Sequence, residues 1–141
     1  MPEYNEDIAI KLISELRNNL ERLESLSQLK IGDFLSDPDK IGSAKYSFIV
    51  AIESCIDLCN HIISRNGFRV PKDYADTFEV MSEAGMFVPG FATDLKKMAR
   101  FRNRLVHLYW EVSNHQIHEI LQTRLNDFNK FQKAVARFLD F

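Results

Sequence analysis

Apolar residues recur at steps of three and four along most of this chain, and that spacing constrains its fold more than any other feature. From the N-terminus they run Ile8, Leu12, Ile13, Leu16, Leu20, Leu23 and Leu26, which makes one stripe on a helix of 3.6 residues per turn. Gly32 and Asp37-Pro38 interrupt the pattern. Asp37 reads as an N-cap with proline in the first turn after it, so a second helix starts there. That helix carries two apolar rows, one through Ile41, Ala44, Phe48, Ala51, Cys55, Leu58 and Ile62, the other through Ile49, Ile52, Ile56 and Ile63. A helix apolar on two sides belongs at the centre of a bundle. Asn66-Gly67 ends it, Val70-Pro71-Lys72 is extended, and Asp73 or Tyr74 opens a shorter helix that stops near Gly85. After Pro89-Gly90 a fourth helix runs through Leu95, Met98, Leu105 and Leu108. Ser113 followed by Gln116 forms a capping box for a fifth helix, packed through Ile117, Ile120, Leu121, Leu125, Phe128, Phe131, Val135 and Phe138. With no strand-like alternation, repeat or linker, the predicted architecture is all-α: an up-and-down bundle of about five helices in one domain, residues 1–141.

A chain of 141 residues with 45% apolar content can bury a core without disulfides or a structural metal. Its longest uncharged run, Ala84 to Thr93, falls short of the roughly 18 apolar residues of a membrane span. The acidic start, Met1 to Asp7, lacks the basic and then apolar order of a secretory signal, so a cytoplasmic location is expected. Cys55 and Cys59 lie four apart on one helical face, poorly placed to bond each other, and read as reduced core residues.

The net charge of −2 gives no global basic footprint for nucleic acid. The distribution is uneven, however. Between Leu95 and Leu108 lie Lys96, Lys97, Arg100, Arg102 and Arg104 with no carboxylate, leaving a charge of −7 on the rest of the chain. Such a block can collect a phosphate backbone, or it can be a solvated helix face. Within it stands Arg102-Asn103-Arg104-Leu105-Val106-His107-Leu108-Tyr109. At about 100° per residue Arg102 and Tyr109 fall nearly in line on the helix, and Asn103, one turn before His107, is placed to hydrogen-bond its imidazole. One helix cannot focus all four groups on one atom, which points to a site completed by another element or by a second copy of the helix. The plainer alternative makes His107 a hydrogen-bonded core histidine and Tyr109 a packing aromatic.

Arg102-Asn103 with Leu105-Val106-His107 and Tyr109 resembles the Arg-x4-His-x-Tyr signature of HEPN-domain proteins, specifically the HepT toxins of MNT/HEPN toxin–antitoxin pairs. The resemblance extends through Ser43 to Tyr46, Ile56 to Ile63, Pro71 to Phe78, and Met98 before Phe101, covering about Ile41 to Leu121. Ser113 stands where an aspartate is expected; either residue caps a helix. The resemblance implies an all-helical homodimer whose two motifs face a shared cleft, acting on RNA as an endoribonuclease that needs no metal or other cofactor. His107 would be the general acid or base and Arg102 the stabiliser of charge on the phosphorane. Asn103 would orient His107, while Lys96, Lys97, Arg100 and Arg104 would track the RNA backbone. In the family the partner is a minimal nucleotidyltransferase antitoxin that attaches AMP to the motif tyrosine, here Tyr109, and so fills the cleft with negative charge.

Several rival readings stand beside this one. The chain could be a non-catalytic binding or scaffold subunit of a nucleotidyltransferase complex. Cys55, Cys59 and His61, or His115 and His118, could bind a metal, though neither spacing converges tetrahedrally. Asp57 could support the cleft from the central helix, alongside His61, or be a surface residue. Phe128, Phe131 and Phe138 could stack bases, but their helical spacing favours the core. The apolar excess of the second helix and the Phe138-Leu139-Asp140-Phe141 end could cover a partner chain.

Overall fold

The computed structural model describes residues 1–141 apart from the side chain of Tyr109. Helix α1 spans Glu6–Leu26, α2 Ile31–Leu35, α3 Pro38–Asn66, α4 Tyr74–Glu83, α5 Phe91–His107, α6 Asn114–Thr123 and α7 Asn126–Leu139, with a 3-10 turn over Tyr109–Glu111. No strand occurs among the described residues. The termini form where side chains can satisfy free backbone groups. Asn5 accepts from the Ile8 N–H at 3.0 Å, Asp37 from Asp39 and Lys40, and Asp73 from Asp76 at 2.7 Å. At Ser113 both halves of the capping box are made. Gly67 closes α3 in the left-handed region at φ 66, and Gly90 opens α5 at φ 91.

Helix α3 is the centre of the bundle, touching α1, α2, α4, α5 and α6. It also has the length and hydropathy of a membrane span, but most of that window is buried within the protein, as its two apolar rows require. Phe48 and Phe101 meet edge to face at 5.3 Å, joining α3 to α5. Phe78, Phe87 and Phe131 form a second aromatic cluster that ties α7 to α4.

Two departures from the periodicity have local causes. Helix α2 forms around Gly32, where the sequence suggests only a break, because Phe34 is wholly buried and anchors it. The predicted fifth helix is two helices, α6 and α7. Near the joint Thr123 turns its hydroxyl back to the Glu119 carbonyl at 2.8 Å, a bond that bends helices, and Asn126-Asp127 follow with poor helix propensity. The break lets Phe128 and Phe131 both reach the core. Those two rings and the partly buried Phe138 are therefore packing residues, and the stacking-platform alternative is set aside. At the C-terminal end Leu139 is buried and Phe141 packs against Tyr4 of its own chain at 6.0 Å.

Candidate active site

The motif lies across the end of α5 and beyond it. Inside the helix, Leu105 is buried and anchors the last turns to the core. His107 is the last helical residue; Leu108 leaves helical geometry at φ −134, and Tyr109 begins the 3-10 turn. The assumption of one helix carrying Arg102 and Tyr109 in line is thus corrected, and the side chain of Tyr109, the expected modification target, lies outside the described residues. His107 is exposed, which removes the core-histidine alternative.

Arg102 is the most constrained group of the motif. Its Nε and Nη2 donate to one oxygen of Glu53, at 2.9 and 2.5 Å, and its Nη1 donates to Asn103 Oδ1 at 3.1 Å. Its guanidinium carbon sits 4.9 Å from the centre of the Tyr74 ring, within cation–π range. The side chain keeps only 12% of its accessible surface. Asn103 therefore serves Arg102; among the described residues no hydrogen bond joins it to His107, contrary to the sequence expectation. Asp73, Tyr74, Arg102, Asn103, Arg104 and His107 line an open groove of about 630 Å³. It brings a proton-transfer group and a fixed cation to one surface, which is what phosphodiester chemistry requires.

The other expected site residues are dispersed. Lys96 is committed to an ion pair with Glu79 on α4. Lys97 faces the space between α5 and α6, Arg100 is exposed, and Arg104 reaches the groove. The basic block thus surrounds α5 rather than forming one face. Asp57 lies one turn along α3 from Glu53 and does not line the groove. Partial burial and the carboxylates of Glu53 and Glu15 push its carboxyl above the usual range, against the pull of Arg102.

The metal alternatives do not assemble. Cys55 and Cys59 are buried, with thiols pushed up by desolvation. His61 accepts the Asn5 N–H at 2.8 Å, and its pKa is lowered by desolvation and by Arg65. His118 is bonded to the Leu29 carbonyl at 3.1 Å and lies 5.6 Å from the Phe34 ring. Among the described residues no group of three or more potential ligands converges.

Comparison with known proteins places this geometry in a family. Residues 16–135 match the family model described as Ribonuclease HepT-like. The chain belongs to the HepT-like ribonuclease family. It is 28% identical over 129 residues to the mRNA nuclease HepT of Shewanella oneidensis, covering 89% of this chain and 93% of that one. It is 23% identical over 133 residues to the tRNA nuclease HepT of Aphanizomenon flos-aquae, covering 92% and 86%. Its fold matches the tri-AMPylated Shewanella oneidensis HEPN toxin, solved in complex with an MNT antitoxin, with a TM-score of 0.86 and 25% identity over 94% of this chain and 99% of that one.

Two groups at this HepT-like site escape the motif reading. Tyr74 appears in sequence as a helix start and within the Pro71 to Phe78 resemblance, with no role at the site. Glu53 carries a legible signal: with Asp57 it is one of the two carboxylates between Gly42 and Ser64, a largely apolar stretch. A charge so placed usually has a partner.

Proposed function

We propose that this chain is the toxin component of a toxin–antitoxin pair: an endoribonuclease that uses no metal and that an MNT nucleotidyltransferase silences by attaching AMP to Tyr109. The observation that carries this reading is the exposed His107 beside the clamped Arg102 on one groove, in a chain of the HepT-like ribonuclease family. The names of its nuclease relatives and the AMPylated toxin with its antitoxin support the reading.

In the reaction, the ribose 2′-oxygen attacks the adjacent phosphorus, the 2′-O–P bond forms and the P–O5′ bond breaks. His107 takes the 2′-OH proton or gives one to the departing 5′-oxygen, a role worth about 10²–10⁴-fold. Arg102 offers the donors that Glu53 and Asn103 leave free to the phosphorane oxygens, where charge grows. The products are a 2′,3′-cyclic phosphate and a 5′-OH end. A second copy of the chain completes the open groove, so that two His107 side chains can serve as base and acid. Exposed Val106, Leu108 and Tyr46 provide apolar surface for such a homodimer. The cytoplasm supplies RNA, and ATP for the modification, and keeps the free thiols of Cys55 and Cys59 reduced.

Incubating wild type, Arg102→Ala and His107→Ala with total RNA in EDTA tests the assignment. Cleavage by the wild type alone, with all three folded, is the expected result. Equal background in all three, with Tyr109 free of AMP by mass, would instead leave a non-catalytic binding subunit.

A further inference from the structure

A second hollow, of about 560 Å³, lies between α5 and α6 and shares Arg104 with the groove of His107. Arg104 on α5 and Arg124 at the end of α6 line it, and neither forms an ion pair among the described residues. Gln116 lines the same space; its carbonyl oxygen is used by the Ser113 N–H at 2.9 Å, which leaves its NH₂ available as a donor. Phe101 and Val112 are buried and, with Ile120, make the hollow apolar at its base. Glu119 also lines it. A narrow arm of about 100 Å³ continues past Phe101 toward Lys97, Asp94 and Asp127. Burial and Asp94 raise the pKa of Asp127, against the pull of Arg124 and Lys130. Arg104 and Arg124 outweigh Glu119 by one positive charge over the apolar base, and the volume falls within the roughly 300–1,000 Å³ of small-ligand sites.

We infer that this cleft binds the nucleotide next to the scissile bond of single-stranded RNA, with Arg104 and Arg124 on its phosphate and its base against Phe101, Val112 and Ile120. The inference rests on the ribonuclease reading and deepens it, because Arg104 belongs to both hollows and sets the direction in which the strand leaves His107. Guanidinium groups suit phosphate through paired donors, and the apolar base suits any nucleobase face. Glu119 has the opposite effect on an approaching phosphate, so removing its charge should strengthen binding.

The test is fluorescence anisotropy with a labelled short single-stranded RNA of mixed sequence, on His107→Ala protein so that cleavage does not interfere. Adding Arg124→Ala should weaken binding about three- to tenfold and reduce the slope of log K against log salt by about 0.7, the value for one phosphate contact on a single strand. Adding Glu119→Gln should tighten binding. An unchanged affinity and salt slope on Arg124→Ala would overturn the inference. Because Arg124 is exposed at a helix end, its loss leaves the core intact. Cleavage by the wild-type protein is scored separately: its failure would defeat the nuclease reading, while the binding series still decides whether the cleft takes RNA.

Discussion

Glu53 accepts two donors of the Arg102 guanidinium on one carboxylate oxygen, Nε at 2.9 Å and Nη2 at 2.5 Å, from a position 49 residues earlier in the chain. With Nη1 on Asn103 and the ring of Tyr74 4.9 Å away, the arginine is fixed before any substrate arrives. Glu53→Ala is expected to lower folding stability by about 1.5–3 kcal/mol, the range for hydrogen bonds to a charged group. Cleavage at saturating RNA should fall with it, because the released guanidinium must be ordered during the reaction. Glu53→Gln, which keeps an acceptor, should lie between. Urea unfolding and single-turnover cleavage would check both; a Glu53→Ala protein as stable and as active as its parent would contradict the clamp.

His107→Ala should reduce cleavage about 10²–10⁴-fold. His107 is exposed at the end of α5 and anchors nothing in the core, so the melting temperature should hardly move. A large drop in melting temperature would reassign the residue to structure.

Lys96 is committed to Glu79, whereas Arg104 faces the groove. Arg104→Ala should therefore weaken RNA binding and lower its salt slope more than Lys96→Ala does. Salt titrations of both variants would decide, and equal slopes would favour the uniform basic block suggested by composition.

An MNT nucleotidyltransferase with ATP should add adenylyl mass to the wild type and none to Tyr109→Phe. Intact mass spectrometry reads this directly, and a gain that survives the substitution would move the modification elsewhere.

Asp127 is buried, and desolvation with the nearby Asp94 raises its pKa against the pull of Arg124 and Lys130. The folded state therefore holds a proton that the unfolded chain releases, and this contribution to stability is lost as pH rises through the folded value. Asp127→Asn should raise the melting temperature at neutral pH, with the gain disappearing in acid below the ordinary carboxylate range. A gain independent of pH would assign the effect to packing.

What the sequence reveals follows the range of the interactions involved. Apolar spacing and caps are local, so α1, α3 and α4, with the caps at Asp37, Asp73 and Ser113, are legible in the order of residues alone. The joint between α6 and α7 is not, because it rests on the Thr123 hydroxyl and the weak helix propensity of Asn126-Asp127 rather than on glycine or proline. At the site, Arg102 and His107 stand out by their residue types and spacing. The partner of Arg102 does not, since pairing with Glu53 depends on how α3 and α5 cross. Helical register assigns Asn103 to His107, but Asn103 bonds the neighbouring side chain instead. The spread of Lys96, Lys97, Arg100 and Arg104 around α5 is likewise hidden by a charge count, which has no direction.

The end of α5 at His107 divides the motif between two kinds of support. Arg102 is tied into the bundle through Glu53 and Tyr74, so its position is set by how α3, α4 and α5 pack. The stretch that begins at Leu108 is outside the helical ladder and joins α5 to α6. It is held instead by the 3-10 turn over Tyr109–Glu111 and by the buried side chain of Val112, so a half of the motif fixed by ion pairing hands over to a half fixed by a turn.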